Sequence, residues 1–451
     1  MLTRTQCRKI VDLAIAHGKA KKVDGVEVIV SASDVATSRF ANNSMTQNQS
    51  PSAVSVSVRL LVDGRQARLS TDQTSAAGVR QLVDDAVTAA RLLEKDPNLL
   101  PLYSPAGNGS APQAVRRFDA RTARLGPDDR AAAIRSIIDA GKARGLNASG
   151  VYASGSAVQA IGNSEGLFAF HQESEAECSV TMTAPDSSGW AKAHNPKASL
   201  IDVTAMAQSA ADKALHSASP LEIEPGHYTV ILEPSAVLDL LVFLWYDFAG
   251  TCHTDKLSCF LDKVGTKALG DNITIHDDAY HPLQAGSCFD GEGLTRKQIT
   301  LVENGLIKNL VHGRRSARVF GTEPTGHGVV EPSPMGEYPL NLVVAGGNTS
   351  LDEMIRTTDR GILLTRVWYV REVDPTAKIV TGMTRDGTFL VEGGKVKCGV
   401  KNFRFNESLI EMLNNVVALG PAVRTAGEEG FPAVVPAMKV ANFNFASTTK
   451  F

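Results

Sequence analysis

Cysteine is scarce in this sequence and widely spaced. Among 451 residues there are six cysteines, and no two of them form a CxxC pair. They are Cys7, Cys178, Cys252, Cys259, Cys288 and Cys398. In a chain of this length, such spacing argues against a disulfide framework and favours reduced thiols. We therefore expect a cytoplasmic protein.

The sequence also lacks a basic excess and any long apolar run. Lysine and arginine total 46 against 48 aspartates and glutamates, whereas nucleic-acid-binding proteins usually carry a basic excess. The most apolar stretch, Leu240–Tyr246, is less than half of the ~18 residues that a membrane span needs. The N-terminal segment MLTRTQCRKIVDLAIAHGKA has the pattern of an amphipathic helix rather than a signal peptide. We expect neither nucleic acid nor a membrane as a partner.

Local patterns predict an α+β protein with two domains. Residues 1–220 are expected to form an N-terminal α/β domain with helices packed on a sheet. Its helices are predicted at 5–21, 75–96, 126–145 and 201–217, and its strand pairs within 52–71 and 149–184. Apolar residues three or four positions apart indicate the helices, and period-two alternation indicates the strands. The segment 220–225, with a proline at each end, is the predicted domain boundary.

Residues 221–451 are expected to form a C-terminal β-rich domain. A strand at 227–233 precedes the apolar segment PSAVLDLLVFLWYDFAG (234–250), which is predicted to be one helix ended by Gly250. Short strand-like runs separated by glycine-containing turns follow, and they favour an antiparallel, barrel-like sheet. One late helix is predicted at 407–420.

The pentapeptide Gly162–Gly166 matches the pattern GxSxG. A nucleophile elbow needs a strand, a sharp turn and then a helix, but an alternating, strand-like segment follows here. A hairpin turn is therefore the favoured interpretation. The sequence contains no Walker A loop and no GxGxxG pattern, so it offers no support for phosphate-binding chemistry.

Cysteine and histidine residues gather between positions 252 and 288. Cys252, His253 and Cys259 are of the types that bind zinc or iron. Their spacing matches no standard zinc pattern, so buried cysteines and surface histidines of a loop region are the simpler interpretation. We expect no metal site, with these three residues as the alternative ligand set.

Three other stretches allow both a functional and a structural interpretation. The acids of FDGEG (289–293) and the pair Asp277-Asp278 suit acid–base catalysis or ordinary turns. The run PTGHG (324–328) is either a tight loop or a loop that approaches a ligand closely. Trp368 and Tyr369 are candidate peptide-binding residues, although aromatic residues in strands are more often part of the core.

Several stretches together resemble the TldD/PmbA family, also described as modulators of DNA gyrase. They are SRFANNSMTQNQ (38–49), FDGEGLTRKQITLVENGLI (289–307), TGMTRDGTFLVEGGKVKCGVKNFRFNESL (381–409) and PAMKVANFNF (436–445). No single stretch is specific. The ordered set covers nearly the whole chain, and it carries the resemblance.

The resemblance implies the two domains predicted above and, for TldD-type members, intracellular zinc-dependent peptide cleavage. In those members two histidines of an HExxxH helix and a cysteine near the C-terminus hold zinc, and the glutamate activates a water. This chain has no HExxxH, and the matching positions are Leu241, Val242 and Tyr246. Its last cysteine, Cys398, precedes the segment RTAGEEGFPAVVP (424–436), where the ligand cysteine of the family lies. The chain thus resembles the PmbA (TldE) branch, whose members lack the metal site.

The expected function is a regulatory subunit of a TldD-type metallopeptidase complex that binds no catalytic metal itself. Zinc is then expected in a TldD-type partner, and the substrate is an unfolded peptide, which could add as a strand to a sheet edge. A self-sufficient peptidase using Cys252, His253 and Cys259 is one alternative. A stand-alone peptide-binding homodimer is another.

Overall fold

The structure, a computed structural model, describes residues 1–105, 115 and 117–449. The helices of the N-terminal part are α1 (Arg4–Ala20), α2 (Ala76–Leu92), α3 (Pro127–Lys142) and α4 (Val203–His216). Its strands are β1 (Gly25–Ala41), β2 (Ser44–Gln49), β3 (Ser52–Val62), β4 (Arg65–Thr71), β5 (Asn147–Asn163), β6 (Phe168–Thr183) and β7 (Ser188–Asn195). The predicted helices and strand pairs of this part are all present, with ends shifted by a few residues.

Side-chain caps fix where several of these helices begin. Thr3 Oγ1 accepts the Gln6 N–H at 3.3 Å, and Gln6 Oε1 accepts the Thr3 N–H at 2.8 Å. Ser75 caps α2 and Asp202 caps α4 in the same manner. Such caps satisfy N–H groups that have no partner inside the helix.

The N-terminal strands form one antiparallel sheet in the order β4-β3-β1-β5-β6-β7, with β2 paired to β1. Side chains alternate across a sheet, and the helices here cover one face, over fully buried residues such as Val28, Val58 and Cys178. The opposite face presents polar residues such as Ser31 and Gln159 toward the C-terminal half. The sheet thus has an apolar face under its helices and a polar face toward the rest of the molecule.

The GxSxG pentapeptide forms the turn between β5 and β6, as predicted. Asn163 Oδ1 accepts the N–H groups of Glu165 and Leu167 at 3.0 and 3.2 Å. The Ser164 hydroxyl accepts the Val26 N–H at 3.2 Å. A second strand rather than a helix follows the serine, so the geometry of a nucleophile elbow is absent at this place.

The C-terminal part contains many short strands. They are β8 (Gly226–Leu232), β9 (Ile275–Asp277), β10 (Ile299–Glu303), β11 (Leu306–Ile307), β12 (Leu342–Val344), β13 (Arg360–Asp374), β14 (Ile379–Glu392), β15 (Lys395–Gly399), β16 (Phe403–Ser408), β17 (Val416–Leu419), β18 (Val423–Thr425), β19 (Ala433–Val435) and β20 (Met438–Thr448). Its helices are α5 (Pro234–Leu241), α6 (Gly250–Thr254), α7 (Arg314–Phe320), α8 (Leu351–Arg356) and α9 (Leu409–Asn414).

The α+β class is confirmed, but the prediction of one barrel-like antiparallel sheet is wrong. The C-terminal strands form two sheets, ordered β11-β10-β9-β12-β19-β18 and β13-β8-β20-β16-β14-β15. Each sheet contains a parallel pair, β12 with β19 and β13 with β8. The reason is α5, whose side chains are apolar except for Ser235 and Asp239 and which must therefore be buried. Its residues Leu238 and Leu240 share one core with both sheets.

The apolar segment 234–250 is not one helix. An α-helical part, Pro234–Leu241, passes directly into a 3₁₀ helix, Val242–Phe248. Gly250 begins α6 instead of ending a helix, and its N–H donates to the Val311 carbonyl at 2.9 Å. A Cβ at this position would lie 2.4 Å from His312 Nδ1, so glycine permits the close approach of the two segments.

The late helix is also shorter than predicted, because it ends at Asn414 and Val416–Leu419 form strand β17. The valines at 416 and 417 favour the extended conformation. No helix within the described ranges is long and apolar enough to cross a membrane.

A buried carboxyl group in the second C-terminal sheet makes stability depend on pH. Burial raises the pKa of Glu407 to about 7, although the Asn444 N–H opposes this shift. The folded state therefore favours the protonated acid, and stability falls as pH rises from about 4.5 to about 7. We expect Glu407→Gln to raise the free energy of unfolding by about 1–3 kcal/mol at pH 8 and to change it little near pH 4.5.

Urea unfolding of the wild type and this variant at both pH values measures the effect. The exposed Glu94 provides a matched control, because Glu94→Gln removes a solvated charge. An equal effect of Glu407→Gln at both pH values would contradict the prediction.

Candidate functional site

A cleft of about 740 Å³ lies between the polar face of the N-terminal sheet and the C-terminal half. Strands β1, β3, β5 and β6 form one wall, with Ser31, Ser55, Gln159 and Glu173 among the lining residues. The loops 284–291 and 327–330 contribute to the other wall. Sequence reasoning missed this cleft, because polar residues at alternate strand positions usually indicate a solvated face.

Histidine and glutamate side chains on the sheet wall are arranged in pairs. His171 Nε2 lies 3.3 Å from Glu173 Oε2, and His194 Nε2 lies 3.7 Å from Glu175 Oε2. Glu173 Oε2 also accepts the Gly286 N–H at 2.9 Å. Burial raises the pKa of Glu173, but His171 and the Gly286 N–H outweigh burial and hold that pKa below its usual value. The ionised Glu173 thus anchors one cleft loop to the sheet.

A fully buried ion pair lies behind the loop wall. Asp277 Oδ1 is 2.9 Å from His327 Nε2, and Asp277 Oδ2 accepts the Asn341 N–H at 2.9 Å. His327 Nδ1 lies 2.8 Å from the Thr325 hydroxyl, which donates to the His312 carbonyl. This hydroxyl therefore connects the His327 ring to the segment of His312.

The charge of the His327 ring explains the acidity of its partner. Burial raises the pKa of Asp277, but the ring outweighs burial and the net shift is downward. The PTGHG run is a tight loop, and its His327 and Gly328 line the cleft, so the close approach to a ligand stays a prediction. Gly326 has φ +73°, and a Cβ there would lie 2.2 Å from the Thr295 carbonyl oxygen.

The acids of FDGEG and of the Asp277-Asp278 pair hold turns and loops in place. The Asp290 carboxylate accepts three backbone N–H groups, and Asp278 Oδ1 accepts the Tyr280 N–H at 2.8 Å. Glu292 Oε2 lies 3.0 Å from a guanidinium nitrogen of Arg314. Burial and the nearby Asp290 nevertheless raise the pKa of Glu292 to about 7. The turn interpretation is thus confirmed for Asp290 and Asp278.

Trp368 and Tyr369 are not among the residues that line the cleft. Trp368 is half-buried, and the guanidinium groups of Arg366 and Arg385 lie over its ring at 5.2 and 4.8 Å. It lines a smaller cavity of about 370 Å³. Tyr369 is 59% exposed and has φ +56° at an irregularity in β13. The core interpretation is therefore wrong for Tyr369, and peptide binding by either residue stays a prediction.

The alternative ligand set lies in the interior. Burial raises the pKa of Cys252 to about 12 and that of Cys259 further still, whereas metals bind the thiolate. His253 is buried, contrary to the surface position expected for it, and its Nε2 lies 2.9 Å from the Asp247 carbonyl oxygen. Among the residues that the structure describes, no three His, Cys, Asp or Glu side chains are grouped so that they could hold a metal ion.

The residues at the HExxxH position of the family do not fit a zinc ion. Leu241 and Val242 have no lone pair to offer, and Leu241 lies in the core. Burial, with the nearby Cys252, raises the pKa of Tyr246 to about 12. Its hydroxyl donates to the Met335 carbonyl at 3.2 Å, and its ring stacks on Tyr338.

The loop 427–430 packs against the same helix. Asp239, fully buried in α5, accepts the N–H groups of Glu428 and Glu429 at 2.8 Å through Oδ1. Burial raises the pKa of Asp239 to about 6, despite these N–H groups. A Cβ on Gly430 would lie 3.4 Å from Val242 Cβ. The segment that carries the ligand cysteine in the family is thus closely packed on apolar side chains here.

Three models of the PmbA/TldA metallopeptidase match consecutive parts of the chain. Domain 1 matches residues 26–90, the central domain matches 120–218, and the C-terminal domain matches 225–447. The chain therefore belongs to the PmbA/TldD family of metallopeptidase-like proteins. The predicted boundary between residues 220 and 221 stays a prediction.

Individual relatives are similar at low identity. Metalloprotease PmbA of Escherichia coli O157:H7 is 24% identical over 460 residues, and the match covers 96% of both chains. A metalloprotease TldD homolog of Buchnera aphidicola is 26% identical over 251 residues, and the chain covers about half (51%) of its length. TldE from Thermococcus kodakarensis has the same fold, with a TM-score of 0.88, 20% identity and coverage of 97% of this chain and 100% of that one.

Proposed function

We propose that this chain is the subunit without catalytic metal in an intracellular, TldD-type zinc metallopeptidase. The observation that carries this proposal is the composition of the HExxxH position. Leu241 and Val242 offer no ligand atom there, and the Tyr246 hydroxyl is bonded to a backbone carbonyl. The zinc ion and its activated water would then be supplied by a TldD-type partner subunit.

The cleft suits an unfolded peptide as the bound substrate. Its sheet wall offers hydroxyl, amide and carboxylate groups that can bond to a peptide backbone. Among the lining residues are Val330, Leu340 and Phe431, which are 38%, 37% and 58% exposed and can cover apolar side chains. A site with a few fixed polar groups among apolar ones is typical of ligand clefts.

The cysteines support a reducing compartment. None of the six forms a disulfide, and five of them are buried. A cytoplasmic location, where thiols stay reduced, agrees with the proposed intracellular peptidase.

Metal content and complementation test the proposal together. The purified chain is dialysed against a mild chelator and analysed by elemental mass spectrometry, and we expect no stoichiometric zinc or iron. Cleavage of an unfolded protein by a TldD-type chain is then measured with and without this chain. We expect faster cleavage in the mixture and a mixed complex by native mass spectrometry.

Controls separate the possible outcomes. A TldD-type chain whose HExxxH glutamate is replaced by glutamine should show no cleavage in either case. Equal cleavage with and without this chain, or a homodimer alone, would contradict the proposal. One metal atom per chain that is lost in His253→Ala would instead support the ligand set Cys252, His253 and Cys259.

A further inference from the structure

Two arginine side chains meet at one end of the cleft without a carboxylate partner. Arg117 is 6% exposed, and Arg424 is partly buried in β18. Within the described part of the chain, neither guanidinium has a carboxylate oxygen within 4.0 Å. Their contacts are neutral instead, with carbonyl oxygens and the His194 ring accepting their N–H groups.

This arrangement is electrostatically unfavourable as it stands. Burial and the positive charge of Arg117 lower the pKa of Arg424 to about 10, and the negative charge of Glu173 opposes this shift only in part. Buried charges are normally paired. In addition, Nε of Arg117 is buried and has no hydrogen-bond partner among the described residues. A bound anion would relieve both the repulsion and the unsatisfied donor.

The two arginines also line a cavity of about 490 Å³ that adjoins the cleft, because Arg424 and Gln284 line both. Lys197 adds a third positive charge to its lining. The one carboxylate among its lining residues, Asp119, already accepts the N–H and the hydroxyl of Thr122 at 2.8 Å each. The cavity is therefore positively charged overall.

We propose that Arg117, Arg424 and Lys197 bind a carboxylate of the peptide held in the cleft. This inference rests on the proposed peptide-binding function. The planar guanidinium donates two parallel N–H groups to the two oxygens of a carboxylate, a strong and specific pairing. A peptide has two sources of this group, its C-terminus and the side chains of aspartate and glutamate.

Binding of labelled peptides distinguishes the two sources. The probes are a short unstructured Ala/Ser/Val peptide with a free C-terminal carboxylate, its C-terminal amide, and the same amide with one internal aspartate. Fluorescence anisotropy gives the dissociation constant of each. We expect a carboxylate in the preferred position to tighten binding about 10–100-fold over the plain amide. The probe that binds more tightly than the plain amide shows whether the site prefers a C-terminal or a side-chain carboxylate.

Variants connect this preference to the cavity. Arg424→Gln should remove it, and Arg424→Lys should retain part of it because the charge remains. Lys197→Gln, at an exposed position, should weaken the preference without disturbing the fold. The matched control is Arg360→Gln, an exposed arginine outside both cavities.

Failure of this inference differs from failure of the proposed function. Equal binding of all three probes, or a preference that persists in Arg424→Gln, would overturn the carboxylate site and leave peptide binding intact. Absence of binding by every probe would overturn both. NMR of the arginine Nε–H groups adds a readout that needs no peptide. Acetate, but not acetamide, should shift the Arg117 signal.

Discussion

Asp277→Asn is expected to destabilise the protein by about 3–5 kcal/mol, the usual effect of removing one partner of a buried ion pair. Both Asp277 and His327 are fully buried, and Asp277 Oδ1 lies 2.9 Å from His327 Nε2. Asparagine can still accept the Asn341 N–H. The decrease in the free energy of unfolding therefore reports the loss of the carboxylate charge and not the loss of this hydrogen bond. The buried His327 Nε2 then faces a neutral amide instead of a carboxylate.

Urea unfolding followed by circular dichroism measures this loss. The exposed pair of Glu353 and Arg356 provides the control, because we expect no measurable change for Glu353→Gln. The double variant Asp277→Asn, His327→Gln should lose less than the sum of the single variants, since it leaves no unpaired charge. Additive losses, or an effect of Asp277→Asn no larger than the control, would contradict the charged pair.

Loss of this pair should also affect the cleft. Asp277 lies at the end of β9 and is bonded to Asn341, whereas His327 lies in the loop 327–330. Asn341 and His327 both line the cleft. The ion pair therefore fixes two parts of one wall relative to each other, and we expect weaker peptide binding in the variant even where it remains folded.

The elements that the sequence predicts well are those fixed by local chemistry. The hairpin at 52–71 has period-two alternation and an Asp-Gly turn, and the structure contains it as β3 and β4. Helix α3 begins at Pro127, a residue suited to a first turn. In such segments the pattern of apolar residues agrees with the fold, so residues that are close in sequence are sufficient to predict the element.

The elements that it predicts poorly depend on distant contacts. The role of Gly250 follows from its close approach to the segment around His312. Tyr369 is exposed because an irregularity in β13 turns it outward. Neither the approach of His312 to Gly250 nor the irregularity in β13 is evident from the local sequence.

The candidate site was hidden for the same reason. The cleft joins Ser31, Gln159, Glu173 and Asp290, which lie far apart in the sequence. Arg117 and Arg424 are separated further still and have no motif. One signal was present, the serines at alternate positions of β1 and β3, but a polar strand face toward a cleft and one toward solvent have the same pattern. Only the register of the sheet and the position of the C-terminal loops distinguish them.

Rebuilding the metal motif is expected to fail. We predict that the triple variant Leu241→His, Val242→Glu, Tyr246→His binds no stoichiometric zinc and loses about 3–5 kcal/mol of stability. Leu241 is 1% exposed, so a histidine there places a polar ring in the core. In addition, the segment 424–436 contains no cysteine that could complete the ligand set.

The control for this variant is Leu241→Ala, Val242→Ala, Tyr246→Phe, which removes packing without adding ligands. Zinc is added to both variants, and metal content and urea unfolding are measured. Because a metal that binds only the folded state stabilises it, zinc should raise neither variant's stability. One zinc atom per chain with wild-type stability in the histidine variant would mean that the site needs only its ligands. The expected failure would mean that the backbone and the loop 427–430 have diverged as well, so that this chain depends on a partner for its zinc.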